Sequence, residues 1–302
     1  MSYLNNHRKD GTFTGKTVTL GADIKVNDGS VAEWKANNFA NLIKWEPVGT
    51  TSAFRGNFNG NGYTISGIYM NGTGNQSLFG KAYGNNITIQ DFALVNSYIK
   101  STGGNNGSVA GVFRGNIASV YSKAELVVDK ASTDSQSTGG MIGYVDSATT
   151  ITNCWYAGDL TTNAPCAGGV VGYYGSACKV TIENCLVSGT LTTQIPANVG
   201  TNDDALGGFI GRIINSNNKT LELKNSLFTG TLVEAIDDSP YVGEFIGRVH
   251  NGAAQQCSIS VTNAYFPEAH GTGWAIGYVD GNSIVINDVT IQTYQSHSYR
   301  NL

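Results

Sequence analysis

The sequence predicts an all-β fold: a right-handed parallel β-helix, or β-solenoid, of about eight coils with an N-terminal cap. Three observations carry that expectation. An apolar–apolar–Gly block recurs along the chain, a second block centred on Asn recurs between its copies, and both alternate apolar with polar residues. That period of two belongs to strands, and no segment sustains the 3.6-residue period of a helix. Short strands, sharp corners and a fixed period near thirty residues describe a solenoid, in which each coil is stabilised by its neighbours.

The first block reads Leu78-Phe79-Gly80, Val112-Phe113-Arg114, Met141-Ile142-Gly143, Val170-Val171-Gly172, Phe209-Ile210-Gly211, Phe245-Ile246-Gly247 and Ala275-Ile276-Gly277. Its third positions are separated by 34, 29, 29, 39, 36 and 30 residues, with Arg114 as the one departure from Gly. One slot ahead of the apolar pair, Gly recurs as Gly111, Gly140, Gly169 and Gly208. The second block reads Ile151-Thr152-Asn153-Cys154, Ile182-Glu183-Asn184-Cys185, Leu223-Lys224-Asn225-Ser226 and Val261-Thr262-Asn263-Ala264. Degenerate copies place Asp91, Ser119 and Asp288 at the Asn position. Asn and Asp tolerate the left-handed backbone of a sharp corner. Asn153, Asn184, Asn225 and Asn263 are therefore expected to stack as a structural ladder. The residues after them (Phe92, Val120, Cys154, Cys185, Ser226, Ala264 and Val289) are expected to point inward.

The chain reads as a single domain over 1–302, with residues 1–60 as cap and first coils, 61–291 as repeats and 292–302 as a patternless tail. Within the first part, Thr12 to Leu20 reads as a strand and Ala32 to Ile43 as a short helix. Phe54 to Ile65 reads as two strands joined by Asn-Gly turns.

Composition narrows the function. Charged residues are 13% of the 302, the formal net charge is −4 and Gly numbers 39. There is no basic cluster for nucleic acid, no polybasic stretch for anionic lipid and no apolar run of spanning length. The first residues, Met1 to Arg8, lack the apolar core of a signal peptide. The Ser/Thr/Asn/Gly-rich composition then suggests a piece of a longer extracellular or cell-surface protein.

Trp45-Glu46-Pro47-Val48-Gly49, followed by Phe54-Arg55-Gly56-Asn57-Phe58-Asn59-Gly60-Asn61-Gly62-Tyr63-Thr64-Ile65, resembles the opening of bacterial surface proteins with GLUG-type repeats. Gly169-Val170-Val171-Gly172 and Gly208-Phe209-Ile210-Gly211 resemble the repeat motif itself. Asn59 stands where that family has Asp, and Tyr63 where it has His. The resemblance runs from about residue 11 to 290. It implies a β-helical stalk or adhesin-like region of a large secreted protein and supplies no catalytic motif.

The residues support two readings of function. The first is a non-enzymatic module acting as adhesin, stalk or glycan-binding segment, with host or dietary glycans or a surface protein as partners. The residue after each apolar–apolar–Gly block reads Lys81, Gly115, Tyr144, Tyr173, Arg212, Arg248 and Tyr278. Aromatic faces and guanidinium forks suit sugar rings and carboxylated glycans, so Tyr144, Tyr173, Arg212, Arg248 and Tyr278 are the candidate ligand-binding residues. A ladder that merely stabilises the sheet would look the same.

The second reading is a polysaccharide-active enzyme. The two longest repeats carry Asp203-Asp204 and Asp237-Asp238 in their extra residues. Four carboxylates together could serve glycoside hydrolysis or bind calcium; solvated loop charge is the plainer account of them. No cofactor is expected, because the four His are scattered and no Cys-x-x-Cys, P-loop or nucleophile elbow occurs. The cysteines number five. Cys154 and Cys185 share a repeat position, as buried small hydrophobes or as a disulfide across adjacent coils.

Overall fold

A computed structural model describes residues 13–129, 137–176, 178–194, 205–214, 219–234, 241–250, 257–266, 274–280, 284–287 and 291–292. They form a parallel β-solenoid. One 24-stranded sheet winds through the chain, and every strand pair in it is parallel. Its period is traced by one inward column. Val18, Phe58, Ile89, Ile117, Ile151, Ile182, Leu223 and Val261 lie in register, one per coil, which makes eight coils. Ile284–Asn287 starts the next turn against Cys257–Ser260.

Further inward columns run beside it, among them Phe79, Ala110, Ile142, Val171, Ile210 and Ile246. Met70, Ile99, Leu126, Leu160, Leu191 and Leu232 form another. Ile24, Ile65, Leu94, Ser122, Tyr156, Val187 and Phe228 form a third. In that third column, the small Ser122 sits beside the fully buried Tyr156, so volume is conserved down the column. A separate four-stranded parallel sheet stacks Ser137–Gly139, Cys166–Gly168, Ala205–Gly207 and Val242–Gly243. Its strands are buried throughout, and its small residues let the coil pass close beneath the apolar–apolar–Gly strand.

The Asn corner is where the sequence reading is most literally reproduced. Asp91, Ser119, Asn153, Asn184, Asn225 and Asn263 all adopt left-handed backbone, with φ between 48° and 58°. The four Asn amides are joined in two pairs: Asn184 Nδ2 donates to Asn153 Oδ1 at 3.2 Å, and Asn263 Nδ2 to Asn225 Oδ1 at 3.1 Å. Phe92, Val120, Cys154, Cys185, Ser226 and Ala264, which follow them, are buried. Asp288 and Val289 lie outside the described residues. Left-handed backbone costs an ordinary L-residue about 1–2 kcal/mol, and a β-branched side chain tolerates it least. Asn184→Val is therefore expected to lower the unfolding midpoint clearly in denaturant titrations, while Asn184→Gly costs little. Equal losses for both would place the stabilisation in the amide ladder rather than in the backbone.

Three sequence expectations need correction. The register pairs Phe79 with Ala110 and Ala110 with Ile142, so the copy aligned with the other blocks is Val109-Ala110-Gly111, not Val112-Phe113-Arg114. Gly111 therefore occupies the repeat Gly position itself rather than the slot before the apolar pair. Val112-Phe113 mimics the apolar pair because it continues the same strand, whose residues Ala110–Val128 alternate regularly. Secondly, the helix spans only Val31–Ala36. Ser30 and Glu33 cap its start reciprocally, and the chain after Ala36 turns away with left-handed backbone at Asn38, Phe39 and Asn41. Thirdly, the first strand is Thr17–Thr19 rather than the full stretch from Thr12, because the chain turns at Phe13 and Gly15, both at positive φ.

The helical segment packs against the side of the solenoid. Phe39 stacks on Tyr69 at 5.2 Å and meets Tyr98 at 4.7 Å, while Lys35 pairs with Glu125 at 2.6 Å. Tyr69, Tyr98 and Glu125 are one outward column. Burial beneath this segment pushes the Tyr98 hydroxyl up to about 12, with Glu125 adding to the effect. Among the described residues no helix is long and apolar enough to cross a membrane.

Candidate functional site

The corrected register changes the outward column after the Gly position. It reads Lys81, Val112, Tyr144, Tyr173, Arg212, Arg248 and Tyr278, so Val112 replaces Gly115. Each of these side chains leaves the sheet on the side opposite the core because its strand neighbours, such as Phe113, Val145 and Tyr174, point inward. Gly115 instead lies three residues further on, at φ 133°, where the ladder between the two strands breaks register.

The column divides into two chemically distinct stretches. Tyr144 and Tyr173 are half-buried and stack at 5.4 Å with 21° between their planes. Arg212 and Arg248 are buried, at 5% and 4% exposure. The Arg248 guanidinium lies 4.7 Å from the Tyr241 ring and 5.8 Å from that of Tyr278. Tyr241 and Tyr278 are themselves 4.4 Å apart. Arg248 is thus held between two aromatic faces, a desolvated cation–π arrangement, and of these three side chains Tyr278 is the most exposed, at 39%.

At the Lys81–Tyr144 end the column opens into a groove of about 830 Å³. Lys81, Tyr83, Val112, Arg114, Tyr144 and Asp146 form its floor, with Thr50, Asn75, Gln76 and Asn105 among its rim. Arg114 is fixed by an ion pair with Asp146 at 2.5 Å, and Arg114 and Arg55 both approach the Tyr83 ring, at 5.8 and 5.5 Å. Tyr144 Oη is 3.3 Å from Ser176 Oγ. The arrangement offers two aromatic faces, two cations beside them and amide and hydroxyl groups around the edge. Tyr83 and Arg114 escape a search by repeat position, since they sit two residues beyond the column; the one available signal was that they follow it on the same face by period two.

Asp203, Asp204, Asp237 and Asp238 lie outside the described residues. Among the described residues no group of three or more His, Cys, Asp and Glu is placed to hold a metal ion. The cysteines are not joined as disulfides. Cys154 and Cys185 stack on adjacent coils in thiol–thiol contact, and that hydrogen bond together with burial pushes the Cys154 thiol well up. The same contact lowers the Cys185 thiol, so it is Cys154 that is the poor nucleophile, and both are closed off by burial.

The molecule is thus a parallel β-solenoid bearing a polar, aromatic groove on one outer face. No family model matches the chain. In sequence it is similar to halomucin of Haloquadratum walsbyi, 27% identical over 200 residues, which is 56% of this chain and 2% of that protein. The chain therefore corresponds to a small fraction of that relative's length. In structure it is similar to a Bacteroides ovatus protein provisionally described as an immunoglobulin A1 protease. The TM-score is 0.58 at 19% identity, covering 95% of this chain and 79% of the other. At that identity the likeness concerns the fold.

Proposed function

We propose that the chain is a non-enzymatic extracellular repeat module, of the GLUG-type kind its opening phrase resembles, that binds acidic glycans in the Lys81–Tyr144 groove. The groove is the observation that carries this reading. A pyranose ring stacks its C–H face on Tyr83 or Tyr144, while Lys81 and Arg114 face a carboxylate or sulfate and the rim amides take ring hydroxyls. The stacked Tyr173 extends the platform by one coil. Correspondence to a small part of halomucin supports a place within a longer surface or secreted protein, with the solenoid as stalk or adhesin segment.

The test is retention of the purified chain on immobilised polygalacturonate, hyaluronate and chondroitin sulfate, with product release assayed on the same panel. Binding is expected to weaken about tenfold in Tyr144→Ala and in Lys81→Ala, and to fall as salt rises because exposed charge pairs are screened. Unfolding of both variants is expected to stay close to that of the parent. A large loss of stability in Tyr144→Ala would instead make the tyrosine ladder a structural element. Product release would move the function to the polysaccharide-active alternative built on Asp203, Asp204, Asp237 and Asp238.

A further inference from the structure

A second outward column lies two residues beyond the Asn corner and shares no lining residue with the Lys81–Tyr144 groove. In register it runs Tyr121, Trp155, Leu186, Leu227 and Tyr265. Trp155, Leu227 and Tyr265 are 42%, 38% and 39% exposed, which places them among the most exposed large apolar side chains described. The Trp155 indole is held in place: Nε1 donates to Ser188 Oγ at 2.7 Å, and the ring packs 4.8 Å from Tyr121. Around these two rings is an open groove of about 580 Å³, whose other walls include Asn61, Asp91, Ser119 and Asn153. The exposed corner amides continue alongside as Asn184, Asn225 and Asn263. Each amide carries two donors and an acceptor oxygen, and the ladder uses one donor of each joined pair.

We propose that this column and its amide edge bind a linear, uncharged polysaccharide laid along the solenoid axis. Three features fix that occupant. Among the residues lining the groove there is a carboxylate, Asp91, and no Lys or Arg, and the Lys224 that flanks the amide edge further along is paired with Glu222, so an anionic chain is disfavoured. The exposed apolar area is on the order of 300 Å², since an aromatic side chain offers about 150–250 Å² in full. A stable protein interface buries about 800 Å² from each partner, of which somewhat over half, roughly 450 Å², is apolar, so this strip falls short of what a second copy or another protein needs. Finally, each coil from Trp155 to Tyr265 repeats an apolar face beside a hydrogen-bonding amide at a spacing of about 4.8 Å, a one-dimensional register that suits a polymer of like units.

The test is native electrophoresis of the full chain through gels containing hydroxyethyl cellulose, xyloglucan, glucomannan or dextran. Retardation by at least one of them is expected, insensitive to salt. Trp155→Ala is expected to raise the dissociation constant tenfold or more, Trp155→Phe to restore most of it, and Tyr144→Ala to leave it unchanged. The last result, with the salt response, separates this site from the acidic-glycan groove, so either can fail alone. Absence of retardation by all four polymers overturns the proposal. So does retardation that survives the combined Trp155→Ala and Leu227→Ala change, or a dimer in solution that Trp155→Ala dissolves.

Discussion

Lys219→Met is expected to stabilise the protein at neutral pH, and the gain is expected to vanish as the pH is raised. Lys219 is an inward residue, 2% exposed, in register with the buried Cys257. Its Nζ donates to the Tyr174 carbonyl at 3.0 Å and lies 4.9 Å from the Tyr174 ring. Burial pushes the ammonium down from 10.5 to about 8, against the smaller opposing influence of Cys257 and Cys178. The folded value is thus below the unfolded one. Below pH 8 both states carry the proton, and the folded state bears the whole cost of burying it. Between 8 and 10.5 the unfolded state still binds a proton that the folded state has released, so stability rises with pH. At ~1.4 kcal/mol per unit the buried charge costs about 3 kcal/mol at pH 7. Met keeps the linear shape and volume, and forfeits a hydrogen bond worth about 1 kcal/mol. The expected net gain is about 2 kcal/mol at pH 7, shrinking to nothing near pH 10. The difference between variant and parent in parallel denaturant titrations isolates this effect from thiols that also titrate there. A gain that is constant with pH would show that Lys219 is not buried as a charge.

How much of this was legible in the sequence differs from position to position for physical reasons. The solenoid, its coil count and the Asn corner were readable because each is repeated. Six residues confined to left-handed φ leave a compositional trace that one corner would not. The outward column was readable in outline, and its error was local. Val112-Phe113 imitates the apolar pair because a long strand alternates with the same period as the motif, and period alone carries no register. The groove was less visible. Tyr83 and Arg114 belong to it through the stacking of adjacent coils, a relation between residues about thirty apart that needs the register first. Burial of Arg212 and Arg248 was invisible as well, since nothing in the repeat distinguishes a covered outward position from an open one. Lys219 is the sharpest case: a lysine in strand alternation reads as an outward residue, yet Lys179 in the preceding coil points out while Lys219 points in. The register explains it, pairing Lys219 with Cys257 and Lys179 with Thr220.

Three Gly→Ala substitutions are expected to fall in a fixed order of severity that tests how closely the coils stack. Gly207 lies in the buried four-stranded sheet, flanked in register by Gly168 and Gly243. A Cβ built there would sit 1.9 Å from the Ile210 carbonyl oxygen and 2.7 Å from the Gly247 nitrogen. Both are backbone atoms of the solenoid wall, so no side chain can swing aside and the two strands must part. Gly62 has left-handed backbone at φ 78° with nothing near its missing Cβ, so Ala there meets strain without a clash. Gly21 has neither, and Ala there removes only backbone freedom from the unfolded chain. Gly21→Ala is therefore expected to be neutral or stabilising by a few tenths of a kcal/mol, and Gly62→Ala to cost about 1 kcal/mol. Gly207→Ala is expected to cost more than about 3 kcal/mol, as overpacking against fixed atoms does. Because each coil is stabilised chiefly by its neighbours, the damage at Gly207 should spread to the coils on either side. Hydrogen exchange should then accelerate in Cys166–Gly168 and Val242–Gly243 while the coils around Phe58 stay protected. Equal protection along the whole chain in Gly207→Ala would mean that the buried sheet yields more easily than its backbone contacts allow.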